Sequence, residues 1–209
     1  MMLFLAACLF TPLSAQLKLG LRIGMSTTLL EANEVEVPSP GGSSFLDLDI
    51  DQLHFGIHGG LVLQGQLGNF LIQPEALFNS NRVDYRVDDL RGGSAVTTIR
   101  TEKYQYLDIP FLLGFRARPF RLYAGPEARL FIDSSSELLD FPGYEQKFRE
   151  ATFSWIAGLG LDVWNLMLDV RYEGNFSKFG EHITFNGQKY AFDKNPARVL
   201  VSVGLLFGK

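Results

Sequence analysis

From residue 17 the chain alternates. In Leu17-Lys18-Leu19-Gly20-Leu21-Arg22-Ile23-Gly24-Met25 every odd position is apolar and every even one is charged or glycine. That is a β-strand with two chemically different faces. The same period recurs at 53–64, 70–79, 106–116, 120–131, 152–162, 166–176 and 198–207, so the pattern predicts eight strands. One face carries residues such as Phe55, Ile57, Leu61, Ile72, Phe78, Ile109, Phe111, Leu122, Leu159, Val170 and Val203. Across about forty such positions none is charged, where the average composition predicts about eight. The opposite face holds Lys18, Arg22, His54, His58, Gln73, Glu75, Asp108, Arg116, Arg121, Tyr123, Glu127, Arg129, Asp169, Arg171, Glu173 and several glycines.

Three features decide which face looks inward. The first is connection length. Residues 66–69, 117–119 and 163–165 are tight turns, whereas 26–52, 80–105, 132–151 and 177–197 are long. Short turns at one end and long loops at the other mark an outer-membrane barrel. The second is the placement of the apolar-face aromatics near the strand ends. Phe70, Phe115, Phe120, Phe207 and the turn residue Trp164 gather at the short-turn end; Phe55, Phe78, Phe153, Trp155, Tyr172 and Phe176 gather at the other. Two aromatic girdles suit two membrane–water interfaces. The third is the near balance of acids and bases on the polar face, as an enclosed ion-pair network requires.

The expected fold is therefore all-β: an eight-stranded antiparallel up-and-down transmembrane β-barrel, with short periplasmic turns, long extracellular loops and both termini periplasmic. A sheet in lipid must close, because no water pairs its edge groups. Eight strands leave an interior that side chains fill. Inward glycines such as Gly20, Gly24, Gly158 and Gly160 make room for large Arg and Tyr side chains. Pro74 and Pro126 remove ladder donors and predict a local bulge or bend.

Composition narrows the compartment. The 21 Gly, 18 Phe and 13% aromatic content lean towards β structure. A net charge of −4 and a pI near 5.4 argue against nucleic acid as a partner. Residues 1–15 read as a signal peptide, with an apolar run from Leu3 and Ala15 before the cut, leaving 16–209 as the outer-membrane barrel domain. No basic residue precedes that apolar run, as a start codon placed too far downstream would produce. Cys8, the single cysteine, lies in the leader; Leu5-Ala6-Ala7-Cys8 also spells a lipoprotein box with a short approach. Without Cys8 the mature chain has no thiol chemistry.

Gln73-Pro74-Glu75-Ala76-Leu77, Tyr106-Leu107-Asp108-Ile109-Pro110-Phe111-Leu112 and Tyr123-Ala124-Gly125-Pro126-Glu127, with Phe207 near the C-terminus, resemble the PorT-like outer-membrane β-barrel domain family of Bacteroidota, an OmpA/OmpX-like eight-stranded barrel. The likeness covers most of residues 17–207. It implies a non-enzymatic structural or interaction protein, with an accessory part in protein secretion, and brings no catalytic residues. Phe207 resembles the terminal aromatic read by the barrel-assembly machinery, although Gly208 and Lys209 follow it.

The residues of interest are then a barrel-interior charge network (Arg22, Glu75, Asp108, Arg116, Arg121, Glu127, Arg129, Asp169, Arg171, Glu173) and an aromatic girdle (Phe70, Phe115, Phe120, Trp155, Trp164, Tyr172, Phe176, Phe207). Of the network, Glu75, Asp108, Glu127, Arg129, Asp169, Arg171 and Glu173 are expected at comparable heights. Salt-bridging outweighs catalysis for them, since buried charges need partners. No Ser-His-acid set stands out; Ser80 and Ser154 lack a His partner. His54 and His58, spaced as a zinc pair on a helix, lie about 13 Å apart on a strand and cannot share one metal. No cofactor or metal is expected. Glu31, Glu34, Glu36, Asp47, Asp49 and Asp51 lie in the first long loop. Asp47, Asp49 and Asp51 are either an upward extension of the second strand or a divalent-cation site shared with lipopolysaccharide phosphates. Hairpins are signalled at Asn186-Gly187 and at Arg91-Gly92-Gly93-Ser94. The expected partners are outer-membrane lipid and lipopolysaccharide, the assembly machinery, and a secretion or surface protein met by the loops. A narrow solute channel and a lipid-modifying enzyme are the alternative functions.

Overall fold

The computed structural model describes residues 16–29, 35–38, 44–53, 55–89, 96–136, 144–146, 151–176, 183–185, 188–190 and 197–208. The leader reading of residues 1–15 with Cys8, His54, Glu31, Glu34 and the two proposed hairpin tips lie outside them.

Eight long strands form the wall: β1 (Gln16–Leu29), β4 (Gly56–Leu67), β5 (Phe70–Asp89), β6 (Val96–Ala117), β7 (Phe120–Ser136), β9 (Ala151–Val163), β10 (Leu166–Asn175) and β13 (Ala197–Phe207). Each pairs antiparallel with its neighbour in the chain, and β1 pairs with β13 from Leu19↔Phe207 to Leu29↔Ala197. The pairings run round to their starting point, so the sheet is a closed up-and-down barrel. Closure satisfies every wall strand on both edges, as a wall in hydrocarbon must.

The three tight connections are two-residue turns at Gly68-Asn69, Arg118-Pro119 and Trp164-Asn165. Gly68 and Trp164 both have positive φ, 60° and 56°. These two turns use a left-handed residue, a conformation glycine adopts freely and tryptophan does not, whereas the Arg118-Pro119 turn is made with a cis peptide bond and no positive φ.

At the other end the strands outrun the alternation that predicted them. β5 and β6 stay paired above Ser80↔Gln105 up to Asp89↔Val96. β3 (Ser44–Leu53) continues the line of β4 and pairs with β5 from Leu53↔Val83 to Leu46↔Asp89, and β2 (Val35–Pro38) pairs with β3. Asp47, Asp49 and Asp51 thus lie on a strand that extends the second wall strand upward. β8 (Tyr144–Gln146), β11 (Ile183–Phe185) and β12 (Gln188–Tyr190) make a separate small sheet. β11 pairs antiparallel with β12 from Ile183↔Tyr190 to Phe185↔Gln188.

The polarity of the wall inverts along β5. Up to Asn79 the outward residues are apolar and exposed, including Phe70, Ile72 and Phe78, while the inward Gln73, Glu75 and Asn79 are buried. Beyond Ser80 the same inward phase carries Val83, Tyr85 and Val87, all buried, and the outward phase carries Arg82, Asp84, Arg86 and Asp88. The medium outside the wall therefore changes from hydrocarbon to water near residue 80. The long-loop boundary of the apolar band is fixed there.

Of the bulge or bend expected at Pro74 and Pro126, no bulge is found. Pairing lapses beside each, but the register is the same on both sides: Pro74↔Phe111 and Leu77↔Asp108, Pro110↔Glu127 and Leu113↔Ala124. Flanking ladder bonds hold the register across the missing donors. The bulge in this wall lies elsewhere, between Gln105↔Asp133 and Tyr106↔Phe131, where Ile132 is the extra residue.

Candidate functional site

The inward positions of the eight strands meet in a packed interior. At the short-turn end, Arg116 and Arg121 share Asp162, at 2.7 and 2.6 Å. Arg121 also reaches Asp169 at 3.0 Å, and Arg22 bridges Asp169 at 3.0 Å and Glu75 at 3.5 Å. Arg171 grips both carboxylate oxygens of Glu75, at 2.8 and 2.7 Å, and donates from Nε to the Tyr123 hydroxyl. Tyr123 in turn donates to Asp169. Guanidinium forks suit this role because they satisfy planar carboxylates twice over.

Nearer the long-loop end is a second cluster. Arg129 contacts Asp108 at 2.7 Å, Glu173 at 2.7 Å and Glu127 at 3.1 Å; Arg198 pairs with Glu173 and with Asp108. Asn79 donates to Asp108 and Ser154 donates to Glu127. No ion pair among the described residues joins the two clusters. The seven residues expected at comparable heights therefore separate into two tiers: Glu75, Asp169 and Arg171 below, Asp108, Glu127, Arg129 and Glu173 above. Barrel shear carries successive strands to different levels, so equal position along a strand does not mean equal height.

The lower cluster holds Arg22, Arg116, Arg121 and Arg171 against Glu75, Asp162 and Asp169; the upper holds Arg129 and Arg198 against Asp108, Glu127 and Glu173. Charge balances over both and within neither. Asp162 and Arg198 were missing from the sequence-derived network. Each sits at a strand end, where alternation thins, yet each is in phase with inward neighbours, Gly158 and Gly160 for Asp162, Ser202 and Gly204 for Arg198.

Glycines give the large side chains their room. A Cβ at Gly158 would lie 2.8 Å from the Tyr123 ring and 2.9 Å from Arg171, and one at Gly160 would lie 2.7 Å from Arg121. Apolar residues complete the filling: Leu71, Leu112, Tyr123 and Ile156 form one buried cluster, and Val62, Met167 and Leu206 another.

His58 is buried on β4 beside Gly24. Among the described residues no group of three His, Cys, Asp or Glu is gathered to hold a metal. Ser154 is bonded to an acid, and no histidine pairs with it among the described residues.

Outside, Phe70 and Phe115 pack edge to face with centroids 6.1 Å apart, and Phe120, Phe207 and Trp164 share their end of the barrel, Trp164 at 93% exposure. At the opposite end Trp155 and Tyr172 stack at 5.5 Å, with Phe176 exposed above them.

The sequence profile of a family described as "Outer membrane protein beta-barrel domain" matches residues 12–180. No curated protein matches the chain. Among solved structures, the crystal structure of Neisserial surface protein A (NspA) is similar at 11% identity and a TM-score of 0.46, over 92% of this chain and 99% of that one.

Proposed function

We propose, from the premise that this chain belongs to the outer membrane protein beta-barrel domain family, that it is a closed, non-enzymatic anchor which presents a rigid β platform to the cell exterior for a protein partner. The orientation follows from the long-loop end being the extracellular one, with both termini and the tight turns periplasmic. The carrying observation is that the interior is occupied at every level, from Leu71, Leu206 and Arg116 through Arg171 and Tyr123 to Arg129 and Arg198. A lumen closed in this way leaves the projecting strands β2, β3, β5 and β6 as the part that meets other molecules. The resemblance to PorT-like barrels supports an accessory role in protein secretion. Outer-membrane lipid surrounds the band, and the assembly machinery reads the last strand at Phe207.

A narrow solute channel is the competing reading, and conductance separates the two. Purified protein in planar bilayers should show no steady open state. A reproducible unitary conductance that changes with Arg171→Ala would overturn the anchor reading.

A further inference from the structure

We propose that the outward face of the β5–β6–β7 wall, just above the apolar band, binds the phosphate of an outer-leaflet lipid through Arg82 and Lys103, with Thr101 and Ser135 completing the cleft. This rests on the extracellular orientation given above.

The starting point is an electrostatic anomaly. Arg82 and Lys103 are direct cross-strand partners and both point outward. Like charges placed directly opposite one another destabilise a sheet pair. Arg82 is held by both carboxylate oxygens of Asp84, at 3.1 and 3.3 Å, and donates to Thr101, whose hydroxyl in turn donates to Asp84, so the unanswered charge of the pair is that of Lys103. No described residue pairs with the Lys103 ammonium. The two cations border one cleft, lined by Arg82, Thr101, Lys103 and Ser135.

Position identifies the occupant. Arg82 is four residues beyond Phe78, about 13 Å along the strand, hence about 9 Å in height at a 45° tilt. The polar headgroup layer is roughly 5–8 Å deep on each side of the hydrocarbon, and long cationic stems reach down into it. The cleft is therefore at phosphate level on a surface continuous with the acyl-facing band. Exposed Ile132, the extra residue of the β7 bulge, stands between the two zones. That bulge also resets the phase of β7 so that Ser135 faces the cleft. The exposed aromatics Phe55, Phe153 and Phe176 close the apolar face on the other strands, and the exposed acid on β7 is Asp133, two residues before Ser135. An acyl chain against Ile132 with its phosphate between Arg82 and Lys103 satisfies both halves of the surface. A phosphorylated, lipid A-type amphiphile has that chemistry.

The test is native mass spectrometry of the full folded chain in detergent, titrated with diphosphoryl lipid A, its dephosphorylated form and inorganic phosphate. One diphosphoryl lipid should be held per barrel, and the dephosphorylated lipid at least about tenfold more weakly. Lys103→Gln should lower retention about fivefold and the Arg82→Gln/Lys103→Gln pair about tenfold, while Arg82→Lys/Lys103→Arg keeps it. Lys103→Gln breaks no described contact, so it carries the test if the double variant loses its heat-modifiable migration. Equal retention by Lys103→Gln and the parent protein, or indifference to the lipid phosphate, would overturn the proposal. Displacement by millimolar inorganic phosphate would reduce it to an adventitious anion site. Orientation is read separately, by maleimide labelling of Thr97→Cys on intact cells. Failure of that labelling would overturn the platform reading and the outer-leaflet assignment together, whereas loss of lipid retention with labelling intact would overturn the lipid site alone.

Discussion

Single charges inside this wall differ in how replaceable they are. Arg171 holds both oxygens of Glu75 and the hydroxyl of Tyr123. Truncating it leaves a buried carboxylate with the Gln73 amide and the more distant Arg22 as its partners, and breaking such a pair costs about 3–5 kcal/mol. Arg171→Ala should therefore shift the urea unfolding midpoint of the refolded barrel well downward. Arg171→Met combined with Glu75→Leu should recover most of that loss, because two apolar groups need no partner. Glu127 is the opposite case. The upper cluster has three carboxylates for two guanidiniums, so Glu127→Gln removes a surplus charge and keeps an acceptor for Ser154. Its effect in the same titration should stay within about 1 kcal/mol. Alternation could show that these residues face inward, since Glu75, Asp169 and Arg171 share the phase of their strands. It could not pair them, because pairing depends on shear and on which glycines yield space.

At the level of strands, close approach between neighbours is set by a few glycines. A Cβ at Gly125 would lie 2.0 Å from the Phe111 carbonyl oxygen, whereas the nearest atom to one at Gly65 is 3.7 Å away. The first contact is with backbone, which cannot rotate aside. Gly125→Ala should cost about 1–3 kcal/mol, the range for overpacking, and Gly65→Ala should be close to neutral; the folded fraction on unheated gels compares them. All eight wall strands were legible as period-two runs. The upper reaches of β5, β6 and β7 were not, for a physical reason visible on β5. Above Ser80 the outside becomes aqueous, so Val83, Tyr85 and Val87 turn inward and Arg82, Asp84 and Arg86 turn outward. A search for an apolar outer face stops at that boundary even though the strand does not. The prolines misled in the other direction. A missing donor at Pro74 or Pro126 suggests a bulge or bend, but long flanking ladders hold the register, and the extra residue is Ile132.

For the molecule as a whole, the ring below residue 80 and the projecting strands above it rest on different pairings. The band is held from Phe70↔Phe115 to Asn79↔Tyr106 between β5 and β6, and by similar runs around the circle. Replacing residues 84–101 with an Asn-Gly turn should leave that circle intact, so the shortened protein should keep its heat-modifiable gel shift. In cells the same deletion should reach the outer membrane and lose whatever depends on the partner, such as release of a secreted cargo. A shortened barrel that no longer folds would show that the platform and the wall are one cooperative unit.

The seam between β1 and β13 has a temporal implication. Leu19 meets Phe207, so the contact that finishes the circle joins residues separated by nearly the whole described chain. Contacts of such long range form late and slowly. Until then the first strand has its β4 neighbour on one side and an open flank on the other, however long ago it left the ribosome. Export must therefore deliver the polypeptide unstructured and keep it so. The purse-string is drawn tight only after the last strand arrives.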